Sequence, residues 1–153
     1  MRRLILISAL LASACAYNPP AETVISSAEA VMALPINSVW SKTLNELTAA
    51  GYPITATSKP DGLIVTGEHY VRLNETQADC GNIWGIPYTK DTRSQTLVSY
   101  TVRLTEADGG KTRATISTRV RGTFTPYAGA TTQELQCHSL GYLERDLVAR
   151  ITR

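Results

Sequence analysis

The clearest pattern along the chain is strict alternation. Val98, Tyr100, Val102 and Leu104 alternate with Ser99, Thr101, Arg103 and Thr105. Beyond Asp108-Gly109-Gly110, Ala114, Ile116, Thr118 and Val120 alternate with Arg113, Thr115, Ser117, Arg119 and Arg121. A period of two puts one set on a buried face and the other in water, so this stretch predicts an antiparallel hairpin in a sheet with one covered face. Upstream the period changes. Val39, Trp40, Thr43, Leu44 and Leu47 recur at helical spacing, after a break and cap at Pro35-Ile36-Asn37-Ser38 and before Gly51.

The remaining segments complete the order. Residues 28 to 34 form a short, mostly apolar run that predicts an edge or first strand. Residues 53–58 and 63–69 are rich in Thr, Val and Ile, and Lys59-Pro60-Asp61-Gly62 between them is turn chemistry, so a second hairpin follows. Residues 70 to 95 lack a clean period and predict a long loop, which needs a function or a staple. Leu135, Leu140, Leu143, Leu147, Val148 and Ile151 predict an amphipathic helix starting near Thr131–Gln133. The expected fold is α+β and two-layered, in the order β-α-β-β-β-β-α. It has a four- to five-stranded antiparallel sheet with two helices on one face, over a single domain spanning 28–153.

The N-terminus changes the picture. Met1-Arg2-Arg3 precedes the nine apolar-rich residues Leu4–Ala12, then Ser13-Ala14-Cys15, the layout of a secretory signal over 1–14. A nine-residue helix is about 14 Å long, against a hydrocarbon core of about 30 Å, so this segment cannot span a bilayer. Leu11-Ala12-Ser13-Ala14-Cys15 resembles a bacterial lipobox, although Ala12 stands where that pattern favours Leu. The resemblance implies diacylglycerol and an N-acyl chain on Cys15, with no other cofactor. By similarity to the enterobacterial sorting rule, Ala16 implies the outer membrane, with the domain facing the periplasm. Ala12-Ser13-Ala14 also fits ordinary signal peptidase, which would release a soluble protein. Residues 15–27 read as a tether reaching about 40 Å at most. Without Arg2 and Arg3, 13 basic residues balance 13 acidic ones, which argues against nucleic acid as a partner.

Three cysteines are present. If Cys15 carries lipid, Cys80 and Cys137 remain as an even pair in an oxidising compartment, and a bridge between them would pin the long loop to the C-terminal helix. The histidines, His69 and His138, would need those same cysteines to hold zinc, so no metal site is expected. Cys137-His138-Ser139-Leu140-Gly141 lacks the first glycine and the preceding strand of a nucleophile elbow, and no catalytic residue is assigned. Arg103, Arg113, Arg119 and Arg121 share the wet face of one hairpin. They could receive a carboxylate or phosphate, or could simply keep the sheet soluble. Trp84, Ile86 and Tyr88 on the loop could form an aromatic contact patch or close one edge of the core.

Val39-Trp40 through Leu44 and Leu47, then Gly51-Tyr52, Ile54 and Gly62–Gly67, resemble the helix-grip domains of BamC-like outer-membrane lipoproteins over about 40 residues. Cys137-x-Ser139-x-Gly141-x-Leu143-Glu144 is similar to a signature of small bacterial lipoproteins. These resemblances imply a non-catalytic accessory or interaction module of the envelope, anchored by lipid and bound to an envelope protein. The alternatives are an envelope-acting hydrolase and a small-ligand or lipid carrier.

Overall fold

The computed structural model describes residues 17–21 and 27–153. The expected signal and Cys15 lie outside the described residues. No helix among the described residues is long and apolar enough to cross a membrane.

Five elements make the N-terminal half: β1 (Tyr17–Asn18), β2 (Ala28–Met32), α1 (Ile36–Ala49), β3 (Ile54–Ser58) and β4 (Leu63–Thr66). Short strands β5 (His69–Tyr70), β6 (Ala78–Asp79), β7 (Asn82–Ile83) and β8 (Ile86–Pro87) occupy the expected long loop, followed by a 3-10 turn at Tyr88–Lys90. Then come β9 (Ser94–Ala107), β10 (Lys111–Phe124), β11 (Gln133–Gln136), β12 (His138–Ser139) and α2 (Tyr142–Thr152).

The β9–β10 hairpin is the spine, with Ala107 opposite Lys111 and Ser94 opposite Phe124. Each of its strands is long enough to take two neighbours on its free edge. β4 and β5 both pair with β9, at Thr101–Arg103 and Leu97–Val98. β2 and β11 both pair with β10, at Thr112–Ile116 and Arg121–Phe124. With β3 outside β4, the α+β sheet has seven antiparallel strands rather than the four or five expected. The two extra strands are short and carry almost no periodic signal, so their pairing comes from the length of the hairpin beside them.

The alternation behaves as its period requires. Val98, Tyr100, Val102, Leu104, Ala114, Ile116 and Val120 are buried, while Thr101, Arg103, Thr105, Arg113 and Arg119 are exposed. Helices α1 and α2 pack against each other, and both contact β10. Val39, Trp40, Thr43 and Leu47 form the buried stripe of α1. That helix begins at Ile36 with Pro35 at the N-cap, and no side chain caps it. Instead the Pro35 carbonyl accepts from Ser38 and Val39 N–H at 2.9 and 3.2 Å, leaving Asn37 and Ser38 inside the first turn. Its other end is as expected: Gly51 is left-handed at φ 85°, and the Tyr52 N–H reaches the Leu47 carbonyl at 3.0 Å.

The C-terminal helix is a correction. It starts at Tyr142, not near Thr131–Gln133. Gln133–Gln136 is strand instead, because Leu135 turns into the core opposite Gly122 while its neighbours stay exposed. A glycine at 122 is required there. A Cβ on it would lie 2.8 Å from the Cys137 sulfur and 3.0 Å from the Leu135 Cβ.

Candidate functional site

Cys80 and Cys137 form a disulfide, with an S–S distance of 2.04 Å. Both are buried. The bridge pins the long loop to the link between β11 and β12, rather than to the C-terminal helix itself. One residue on either side of it, β6 pairs with β12, His138 opposite Asp79. The bridge consumes both thiols of the Cys80, Cys137 and His138 set considered for zinc, and no group of three or more His, Cys, Asp or Glu that could hold a metal lies among the described residues. His69 packs edge-on against Tyr52, with ring centroids 5.1 Å apart.

The segment that superficially resembles a nucleophile elbow turns out to be a helix start. Gly141 is left-handed at φ 80°, and α2 begins at the next residue. Ser139 is buried, and its hydroxyl donates to Glu144 Oε2 at 2.7 Å while accepting the Gly141 N–H at 3.1 Å. Glu144 is fully buried in the first turn of α2 and also accepts from the Thr118 hydroxyl. Tyr100, beside Thr118 on the sheet, reaches the Leu143 carbonyl at 3.5 Å. Burial raises the phenol pKa of Tyr100 far above its ordinary value, and burial also raises that of Tyr52, whose ring meets it edge-on. The Cys-x-Ser-x-Gly-x-Leu-Glu pattern therefore has one physical job per residue: bridge, acceptor and donor, left-handed cap, core contact, and buried hydrogen-bond hub.

The four arginines lie on the outer sheet face but do not converge. Arg113 and Arg121 are eight residues apart on one strand, roughly 27 Å at 3.4 Å per residue. Arg121 is bound at 2.6 Å by Glu68 and at 3.1 Å by Glu134, and the Glu68 hydrogen bond raises its pKa. Arg113 meets Glu29 at 3.5 Å. Arg103 and Arg119 are exposed and have no ion pair among the described residues. Arg119 lines a polar hollow of about 460 Å³ with Arg121, Glu134 and His138.

The loop aromatics split between the two readings open to them. Tyr88 closes the core: it is 3% exposed and meets Phe124 edge-on at 5.0 Å. Trp84 and Ile86 stay outside, 78% and 57% exposed. Residues expected in the tether also come down on this loop. Tyr17 pairs with Ile83 and Asn18 with Asn82, Pro20 is buried, and the Ala21 N–H donates to Asp79 Oδ2 at 3.0 Å. The same aspartate holds the Gly81 N–H at 2.8 Å.

Between this ribbon and the sheet runs a mostly apolar groove of about 670 Å³. Pro19, Ile83, Tyr88 and Pro126 line it together with Gln133–Gln136 of β11. Arg93 sets the Pro126 lip, donating to its carbonyl at 2.8 Å while its guanidinium lies 4.9 Å over the Phe124 ring. The hydrogen bonds from Arg93 also hold the Asp91 carboxyl below the usual carboxylate range. The β11 edge facing away from β10 has no backbone partner among the described residues. An unpaired strand edge beside an apolar groove is the geometry that accepts an extended peptide.

Gly81 is what lets the N-terminal segment close this groove. It is left-handed at φ 76°, and a Cβ there would stand 2.4 Å from the Asn18 carbonyl oxygen. Gly81→Ala is expected to free residues 17–21 for proteolytic cleavage while the disulfide-linked core stays intact. Limited proteolysis with mass analysis reads this out.

No protein-family model matches the sequence, and no curated protein matches it. The chain is similar in part to a solved DUF4468 family protein from Bacteroides ovatus, with TM-score 0.34 and 14% identity over 71% of this chain. The matched region spans 58% of that protein.

Proposed function

We propose that this chain is a lipid-anchored protein of the bacterial envelope, acylated on Cys15, and that its domain is a non-catalytic module binding a protein partner. The observation that carries the reading is the cysteine pairing. Cys80 and Cys137 are joined and buried, which suits an oxidising compartment and leaves Cys15, after its short apolar leader, as the odd thiol. The outer membrane is the proposed address, from Ala16. The stretch that resembles BamC-like lipoproteins, now α1 and the β3–β4 hairpin, is compatible with such a module.

The groove along β11 is the proposed partner surface, taking an extended apolar segment against the free strand edge. A catalytic role finds less support, since the Ser139 hydroxyl is buried and committed to Glu144. A photo-crosslinking residue at Gln136, in native membranes, tests this against the same residue at Lys111, at the far end of β10. The expected result is one protein captured from Gln136, absent from Lys111, and lost when Cys15→Ser removes the anchor. Equal capture from both positions, or none from Gln136, contradicts the partner groove.

A further inference from the structure

Strand β1 is the outer member of a three-stranded ribbon, and its register fixes which way it points. Tyr17 lies opposite Ile83, and Ile83 faces Ile86 across a two-residue turn. Trp84 and Gly85 make that turn, with φ of 52° and 80°. Tyr17 is therefore the β1 residue nearest the Trp84–Gly85 tip. Cys15 precedes it by two residues, which span at most about 7 Å. That is about the depth of one headgroup layer, given a hydrocarbon core of about 30 Å in a bilayer of 40–45 Å.

The tip itself is unusual. Two positive φ values in a two-residue hairpin turn favour Asn-Gly, and Trp84 is the one non-glycine described residue in that region. A bulky side chain held left-handed costs conformational energy, so its presence needs a use. Here it leaves an indole 78% exposed, with Ile86 beside it 57% exposed. An indole has an apolar body and one N–H donor, the amphipathic make-up that settles at a bilayer's headgroup level. The N-terminal segment is held to the ribbon and to β6, since Asn18 Nδ2 bonds Asn82 Oδ1 at 3.1 Å and the Ala21 N–H bonds Asp79.

We propose that the Trp84–Ile86 tip is a second membrane contact, seated at the headgroup level of the bilayer that holds the acyl chains of Cys15. The proposal rests on the lipoprotein reading above. Two contacts this close together fix the domain's orientation, with the β7–β8 tip toward the lipid.

Depth-dependent quenching tests it on the full membrane-extracted protein, after its mass has been measured. The protein is reconstituted in phosphatidylethanolamine–phosphatidylglycerol vesicles whose acyl chains carry bromine. Trp40 and Trp84 are the two tryptophans, so the Trp84 signal is obtained from Trp40→Phe and, independently, as the difference between the native protein and Trp84→Phe. The expected result is a blue-shifted Trp84 emission that loses most of its intensity to bromine. An acylated protein whose Trp84 emits as in water and ignores the brominated lipid overturns the tip contact and leaves the anchor standing. A protein bearing no acyl mass overturns the lipoprotein reading, and this contact with it.

Discussion

Replacing both bridge cysteines, as Cys80→Ala with Cys137→Ala, is expected to lower the unfolding free energy by about 4 kcal/mol on the chain-entropy model. The bridge joins residues 57 positions apart, so opening it returns a long loop to the unfolded ensemble. The native state loses as well. Both cysteines are buried in the core cluster, and the segments they join, β6–β8 and β11–β12, share one two-residue ladder, between β6 and β12. The melting temperature should fall by roughly 15 °C for a domain of this size. Thermal unfolding of the double variant, and of the native protein with and without a phosphine reductant, reads this directly. A melting temperature unchanged in both would mean that the loop is held by packing alone.

Glu144→Ala should cost about 3 kcal/mol, for a different reason. The carboxylate is fully buried and accepts from the hydroxyls of Ser139 and Thr118, which lie on β12 and β10. Hydrogen bonds to a charged group contribute about 1.5–3 kcal/mol each, and truncation leaves the buried Ser139 donor and the part-buried Thr118 donor unmet. Glu144→Gln keeps the shape and one acceptor, so it should recover part of the loss. Urea unfolding midpoints of the three proteins, at constant slope, measure the difference. Equal stability of the Glu144→Ala variant and the native protein would show that the cluster does not hold α2 to the sheet.

What could be read ahead of the structure was whatever repeats locally. The hairpin of β9 and β10 carries eight inward positions, from Val98 to Leu104 and from Ala114 to Val120, and buries all but Thr118, and α1 has four apolar positions at helical spacing plus a C-terminal glycine. Elements defined by a distant neighbour were illegible. Strand β11 is Gln-Glu-Leu-Gln, one inward residue in four, and becomes a strand because β10 runs on far enough to pair with it. The leucines at 135 and 140 then fell into a false helical period that Gly141 breaks. The same holds at the groove: Tyr17–Asn18 has no strand signal, and its pairing with Asn82–Ile83 depends on the hairpin turn at Trp84 and on Gly81 being bare. Tyr88 and Trp84 are four residues apart with the same aromatic character, yet one is buried against Phe124 and the other is exposed on the domain surface. Burial there is decided by the turn, and a positive φ at Trp84 leaves no mark in composition.

Function, in this account, begins with where the chain is put. The intact mass of the protein extracted from bacterial membranes, taken with and without reduction, addresses that step most directly. The predicted species begins at residue 15, carries the added mass of a diacylglyceryl group and an N-acyl chain, and gains two hydrogens when reduced. An uncut polypeptide starting at Met1, or a bare 15–153 chain, contradicts it.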